Sequence, residues 1–215
     1  MDSQFFRPKK INISENLILV PYFPNRECLK TIESGSVKKR SIFRSVLYSY
    51  SNYDILYGFL GYSNLLTILE FISDVRNKNI FFLGTAGSLD PGVIEPKILN
   101  VTKIYPGSIF RYFSSIEFYN LYRYEGNEVE SVVGISEDLI QRENPVWYKN
   151  VMKTNVKIVE MELFPLRWYI GKEITALVVV SDQISISGIK NLDRKRIAEE
   201  SARGFKLIME KINET

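Results

Sequence analysis

Three features of the sequence predict a single α/β domain. Apolar, β-rich runs recur along the chain, helical patterns lie between them, and 215 residues suffice for one sizeable core. Several of the runs are continuous rather than alternating, as expected for strands covered on both faces.

Taken in order, the predicted strands are "NLILVP" (16–21), "DILYGF" (54–59), "NIFFLGTAG" (79–87), "KILNVTKIY" (97–105), "SVVGI" (131–135), "VKIVEME" (156–162) and "ITALVVVSD" (174–182). Residues 62–76 place Leu65, Leu66, Leu69, Ile72 and Val75 at helical spacing. The tail over 193–212 sets Ile197, Phe205, Ile208 and Ile212 on one face, with Asp193 as its N-cap. Pro165 fits only the first turn of a helix, so a strand to Met161 and a helix from about Glu162 is expected. The tyrosine-rich stretch 111–127 fits neither period, and no repeat or linker divides the chain, so residues 1–215 are read as one domain.

Composition narrows the function. Hydrophobic residues make up 45% and charged residues 25%; 28 basic against 25 acidic side chains leave a net charge of only +3. That excess does not argue for nucleic acid or a membrane surface. Histidine is absent, which removes His–metal sites and a His general base, so no metal site is expected. The single cysteine, Cys28, excludes an internal disulfide framework. No apolar run approaches the roughly 18 residues of a membrane helix, and "MDSQFFRPKK" lacks the apolar run of a signal peptide. A cytoplasmic protein is expected.

Four constellations carry chemistry. In "FLGTAGSL", Gly84 and Gly87 let backbone approach a ligand, and Thr85 adds a hydroxyl; the same spacing also serves an ordinary tight turn. In "LVPYFPNRECL", Arg26 opens a helix and suits a phosphate or carboxylate, or simply faces solvent. In "VVVSDQ", Asp182 follows a very apolar strand, where ligands of open α/β sheets bind; it reads either as a general acid or as a turn residue. In "IVEMELFPLRWY", a period of 2 puts Glu160 and Glu162 on one face, emerging together at a strand end.

"FFLGTAGSLDPGV", then "VEMEL", then "LVVVSDQ" resemble, in that order, blocks of the purine nucleoside and uridine phosphorylase superfamily. "LVPYFPNRECLKTIE" is similar to its phosphate-loop segment and "YGFLGYSNLLTILEFI" to its strand–helix passage, so the resemblance runs from about Leu17 to the C-terminal helix. It is strongest to the hexameric purine-type branch. The resemblance implies a three-layer α/β/α domain with a mixed central sheet, in a homo-oligomer built from dimers. It further implies cleavage of a nucleoside, purine by preference, with inorganic phosphate as co-substrate, giving free base and ribose 1-phosphate. No other cofactor is implied. By the same resemblance Glu162 bonds the ribose hydroxyls, Met161 packs on the sugar, and Glu160 lines the sugar–base site. Asp182 protonates the departing base; Arg26, Gly84 and Thr85 hold phosphate.

Departures from the family pattern cluster in the phosphate half. Tyr22 stands where the family's loop has glycine, Phe82 where it has arginine, and Pro96-Lys97 where it has Gly-Asp. Arg194 or Arg196 could support Asp182, Arg40 or Arg44 could be lent to a neighbour's site, and Gln141 with Arg142 could read a pyrimidine edge. Two alternatives to phosphorolysis therefore stand: hydrolysis of the same bond, and a non-catalytic nucleoside-binding protein.

Overall fold

The structure, a computed structural model, describes residues 10–22, 26–108, 111, 117–126, 128–137 and 144–214. The side chains of Arg26, Glu27, Cys28 and Thr31 also fall outside that description. So do Gln141 and Arg142.

Among the described residues eleven strands form one mixed sheet. In chain order they are β1 (Asn16–Val20), β2 (Lys38–Ile42), β3 (Ser45–Ser49), β4 (Tyr53–Tyr57), β5 (Asn79–Ser88), β6 (Ile98–Pro106), β7 (Tyr119–Asn120), β8 (Glu130–Ser136), β9 (Ile158–Glu160), β10 (Thr175–Ser185) and β11 (Gly188–Asn191). Five α-helices are described: α1 (Arg26–Gly35), α2 (Gly61–Leu69), α3 (Pro145–Val151), α4 (Leu163–Ile170) and α5 (Arg194–Glu214). All seven runs read as strands are strands. The mixed α/β architecture is therefore as expected.

The sheet closes partly on itself. β5 pairs with β10 on one edge and β9 on the other, and β10–β6–β8–β9 completes a ring. Ring closure removes the free edges that an open sheet would expose. From β5 the sheet continues outward through β1, β4, β3 and β2.

Burial follows the apolar runs. Ala176 to Val180 in β10 and Leu17 to Val20 in β1 are fully buried. Each Leu, Ile or Val among them contributes about 1.5–3 kcal/mol by leaving water. α5 lies on β10, β5 and β6. Gly204 permits that approach, because a Cβ there would stand 2.5 Å from Ile98 and 2.8 Å from Leu83. Asp193 caps α5 by accepting the Arg196 N–H at 2.9 Å, as its position suggests. α4 packs against α2 and against β6 and β8.

Elements without an apolar run were not foreseen. β2 reads "KKRSI", and its hairpin with β3 turns at Phe43, a non-glycine residue at φ 54°. α3 follows the Asn144-Pro145 pair, where Asn144 accepts the N–H groups of Val146 and Trp147 at 3.0 Å. Helix α2 is shorter than its periodicity, ending at Leu69 before a short 3₁₀ turn at Val75–Asn77.

Candidate active site

The cleft arises where two strands leave the same edge of β5. β1 runs parallel to β5 as far as the Leu19–Phe82 pair. β9 arrives antiparallel and pairs at Gly87 and Ser88. Between them, residues 83–86 of β5 have no strand partner on that edge among the described residues. Such a switch in strand connection leaves a crevice at the strand ends.

Glu160 and Glu162 face this crevice differently from the expectation of one shared face. The strand ends at Glu160, and the chain turns at Met161 and Glu162 into α4. Glu160 is 3% exposed and works as the cap of α4. Its Oε2 accepts the N–H of Glu162 at 2.6 Å and of Leu163 at 2.7 Å. Its Oε1 accepts the hydroxyl of Ser136, the residue opposite it on β8. Ser136 Oγ in turn accepts the Phe164 N–H at 2.7 Å. One dyad thus satisfies three of the amides that a helix start leaves open.

Glu162, at the N-cap position, points elsewhere. Its Oε1 accepts the N–H of Gly61 at 3.0 Å, tying the start of α2 to the start of α4. Gly61 sits at φ 69°, a conformation that glycine adopts without strain, and this aims its N–H at the carboxylate. Burial pushes both carboxyls up, Glu160 to about 8 and Glu162 to about 7. The negative charge of Glu162 adds to the rise at Glu160, and the amide donors oppose both shifts. Met161 between them is half-buried.

Asp182 is inside a strand, not past its end. β10 continues to Ser185 and pairs Asp182 with Gly87 of β5 and Asn191 of β11. A β-bulge decides its direction. Val180 pairs with Ala86 and Asp182 with Gly87, so Ser181 is the extra residue. Without the bulge, Asp182 would share the face of Val180; with it, Asp182 turns to the face of Thr85 and Gly87. The Ser181 hydroxyl donates to Asp182 Oδ2 at 2.6 Å. Arg196 does not support Asp182, since it pairs with Glu95. Arg194 is exposed.

The register places Asp182, Gly87, Val159, Ile135 and Tyr105 in one row across β10, β5, β9, β8 and β6. Val159 shares its face with Asp182, whereas Glu160 alternates to the opposite face. Asp182 and the Glu162 turn therefore flank β5 from its two edges. In that row the backbones of Asp182 and Val159 stand two strand spacings apart, about 10 Å.

The anion-binding expectation meets a different surface. Gly84 to Ser88 continue β5 as strand instead of forming a turn. Phe82 is fully buried, and a Cβ at Gly84 would lie 2.5 Å from its ring. A Cβ at Gly87 would lie 2.4 Å from Ile184 Cδ1. Both glycines thus seat side chains of the protein itself. Thr85 between them is half-buried on the face of Asp182. Arg26 opens α1, but its side chain is among those not described. Tyr22 is 56% exposed and turned to solvent, and Lys97 pairs with Glu130 at 2.7 Å on the surface.

Sequence reasoning missed Ser136, Gly61 and Ser181. Ser136 directly follows a predicted strand and Gly61 ends "GFLG", but only the folded structure joins them to the two glutamates. It also missed Glu137, 1% exposed, which accepts the Trp147 indole N–H at 3.0 Å and the Ser108 hydroxyl at 3.1 Å. These line a cavity of about 320 Å³ beyond Ile135 in the row that begins at Asp182. Among the described residues no cluster of His, Cys, Asp and Glu could hold a metal.

No protein-family model matches this chain, and no curated protein matches it in sequence. Solved structures match it in fold. The purine nucleoside phosphorylase of Toxoplasma gondii, in complex with immucillin-H, superposes with a TM-score of 0.68 at 16% identity, over 99% of this chain and 96% of that one. A Trypanosoma brucei nucleoside phosphorylase that shows uridine phosphorylase activity gives 0.69 at 12% identity, over 94% of each. The Helicobacter pylori 5'-methylthioadenosine/S-adenosyl homocysteine nucleosidase gives 0.65 at 16%, over 95% of this chain and all of that one. The chain has the nucleoside phosphorylase-like fold.

Proposed function

We propose that this protein cleaves the N-glycosidic bond of a nucleoside, with water as the acceptor of the sugar. The observation that carries the proposal is the bulge at Ser181. It turns Asp182 across β5 from the Glu162 turn, onto the face of Thr85. A carboxyl group on one side of a cleft and a sugar-binding carboxylate on the other suit departure of a base from a ribosyl cation.

In this reading Asp182 gives its proton to the base as the C1'–N bond breaks. Glu162, ionised, accepts ribose hydroxyls and stabilises the positive charge on the sugar. Water then attacks C1', and its proton returns to Asp182. Glu160 does not touch substrate; it holds the Glu162 turn in place through two amides. Water is preferred over phosphate because Phe82 fills the side of Gly84, where the related pattern has a cation.

Phosphorolysis is the second reading, favoured by the unpaired edge at residues 83–86 and by Arg26 at the start of α1. Base release from a panel of nucleosides, with and without phosphate, separates the two. Free ribose formed at an unchanged rate without phosphate supports hydrolysis. Ribose 1-phosphate formed only with phosphate supports phosphorolysis. Absence of base release under both conditions rules out cleavage of the nucleosides on the panel.

A further inference from the structure

Glu162 caps a helix that is not its own. α2 begins at Gly61, and the residue before it, Leu60, supplies no side-chain acceptor to the first N–H groups. No acidic residue stands in the first turn of α2 either. A helix start of this kind leaves amides open and carries partial positive charge. The acceptor comes from 101 residues further along the chain, where Glu162 Oε1 takes the Gly61 N–H at 3.0 Å.

The turn before α2 is pinned at both ends. Gly58, at φ 85°, donates its N–H to the Val20 carbonyl at 3.1 Å, where β1 ends. Gly61, at φ 69°, donates to Glu162. A Cβ on Gly61 would meet nothing within 4 Å. Space therefore does not call for glycine at this position; the backbone conformation does, and that conformation sets the direction of the N–H.

The groups around Glu162 leave its charge to amides. Glu160 of β9 feels the Glu162 charge and disfavours having both ionised. Tyr62 is the one ionisable residue of α2, and β5 has none. Glu137, beyond Ser136 on β8, is held by Ser108 and Trp147, and Asp182 lies across β5. The cations of the neighbouring elements are seated on rings: Arg167 on Tyr119, Lys103 on Phe118 and Arg76 on Tyr169. Burial raises the Glu162 carboxyl, and the Gly61 amide is the larger of the two that pull it back.

We propose that Gly61 is a positioning residue for glycosidic cleavage: its N–H, at the head of α2, directs the Glu162 carboxylate to the sugar and keeps it charged. The part of the sugar rests on the cleavage reading; the hold of Gly61 on Glu162 does not. A donor fixed before substrate arrives needs no rearrangement during the reaction.

Three variants separate the N–H from the turn. Gly61→Asn keeps the N–H in a residue that tolerates positive φ. Gly61→Pro removes the N–H and forces φ to about −65°. Gly61→glycolic acid, introduced by nonsense suppression, exchanges only the N–H for an ester oxygen, so it decides the matter if the Pro variant does not fold. Base release from uridine and inosine gives kcat/KM against pH. Carboxyl ¹³C NMR, assigned with Glu162→Gln, follows the titration of Glu162 itself. Loss of the N–H should move the acid limb of kcat/KM and the Glu162 midpoint to higher pH by about one pH unit, a fall of roughly 10-fold in kcat/KM on the acid side. Gly61→Asn should keep the wild-type midpoint.

A folded ester or Pro variant with the wild-type Glu162 midpoint overturns the proposal. So does one that loses rate equally at every pH, as a purely structural turn would. If wild type turns over neither nucleoside but the Glu162 midpoint still rises without the N–H, the cleavage reading fails and the hold of Gly61 on Glu162 stands. If wild type cleaves and the variants keep its acid limb, the cleavage reading stands and this one falls.

Discussion

On the β9 side of the cleft, both carboxylate oxygens of Glu160 meet hydrogen-bond donors; on β5, the two glycines meet hydrocarbon. The contrast separates what the protein has built for polar chemistry from what it has packed as core. Buried polar atoms persist only where partners satisfy them. The Ser136–Glu160 dyad and the Gly61 amide on Glu162 form such a set, and the half-buried Asp182 accepts the Ser181 hydroxyl. Phe82 over Gly84 and Ile184 over Gly87 are the opposite case, where glycine serves close packing rather than an incoming ligand.

The largest effect should fall on the polar side. Asp182→Asn keeps the shape but removes the proposed general acid, and base release should fall roughly 10²–10⁴-fold with stability nearly unchanged. Steady-state rates beside a thermal melt check this. An Asp182→Asn enzyme as fast as wild type would remove Asp182 from the chemistry.

Glu160→Ala should be the most damaging change to stability. It leaves the Glu162 and Leu163 amides and the Ser136 hydroxyl without their acceptor in a buried place. A loss of roughly 3–5 kcal/mol in urea unfolding is expected. A loss below 1 kcal/mol would mean that α4 finds another cap.

Gly84→Ala tests the packed side. Its new methyl meets the Phe82 ring, and overpacking of this kind costs about 1–3 kcal/mol. Combined with Phe82→Ala, the same methyl should cost less, because the ring it strikes is gone. Equal costs in both backgrounds would show that the ring does not define that space.

The subtlest prediction concerns pH. Glu160 and Glu162 both have carboxyls raised above 4.5 in the folded protein, to about 8 and about 7. The folded state therefore binds more protons than the unfolded state between about pH 4.5 and 8. Their contribution to stability is fully present below 4.5 and is lost as pH rises through 7 and 8. Glu162→Gln should reduce that loss by about 1–3 kcal/mol, measured as urea unfolding at pH 5, 6.5 and 8. A wild-type stability that rises across this window would contradict the raised carboxyls of the pair.

How far this difference was legible in the sequence depends on parity. The seven strands were legible because their apolar runs are long and β-rich, and the α5 cap because Asp193 precedes an amphipathic tail. The hairpin at β2 and β3 was not, since "KKRSI" carries no apolar period and Phe43 replaces the usual turn glycine. Glu160 and Glu162 were found, but the division of labour between them was not. A period of 2 fails where β9 stops at Glu160. Asp182 was found too, yet its face depends on one extra residue at Ser181, and a bulge leaves no mark in hydropathy. Phe82 and Gly84 share a face by strict alternation, so that contact was within reach of the sequence. The contact of Ile184 with Gly87 needed the β5–β10 register.

The most direct test of the account is base release by wild type, Asp182→Asn and Glu162→Ala, each with and without phosphate. The account predicts that wild type releases free base and free ribose at a rate that phosphate does not change, and that both variants fall by roughly 10²–10⁴-fold. Release that stops when phosphate is removed, or that survives both substitutions, would contradict it.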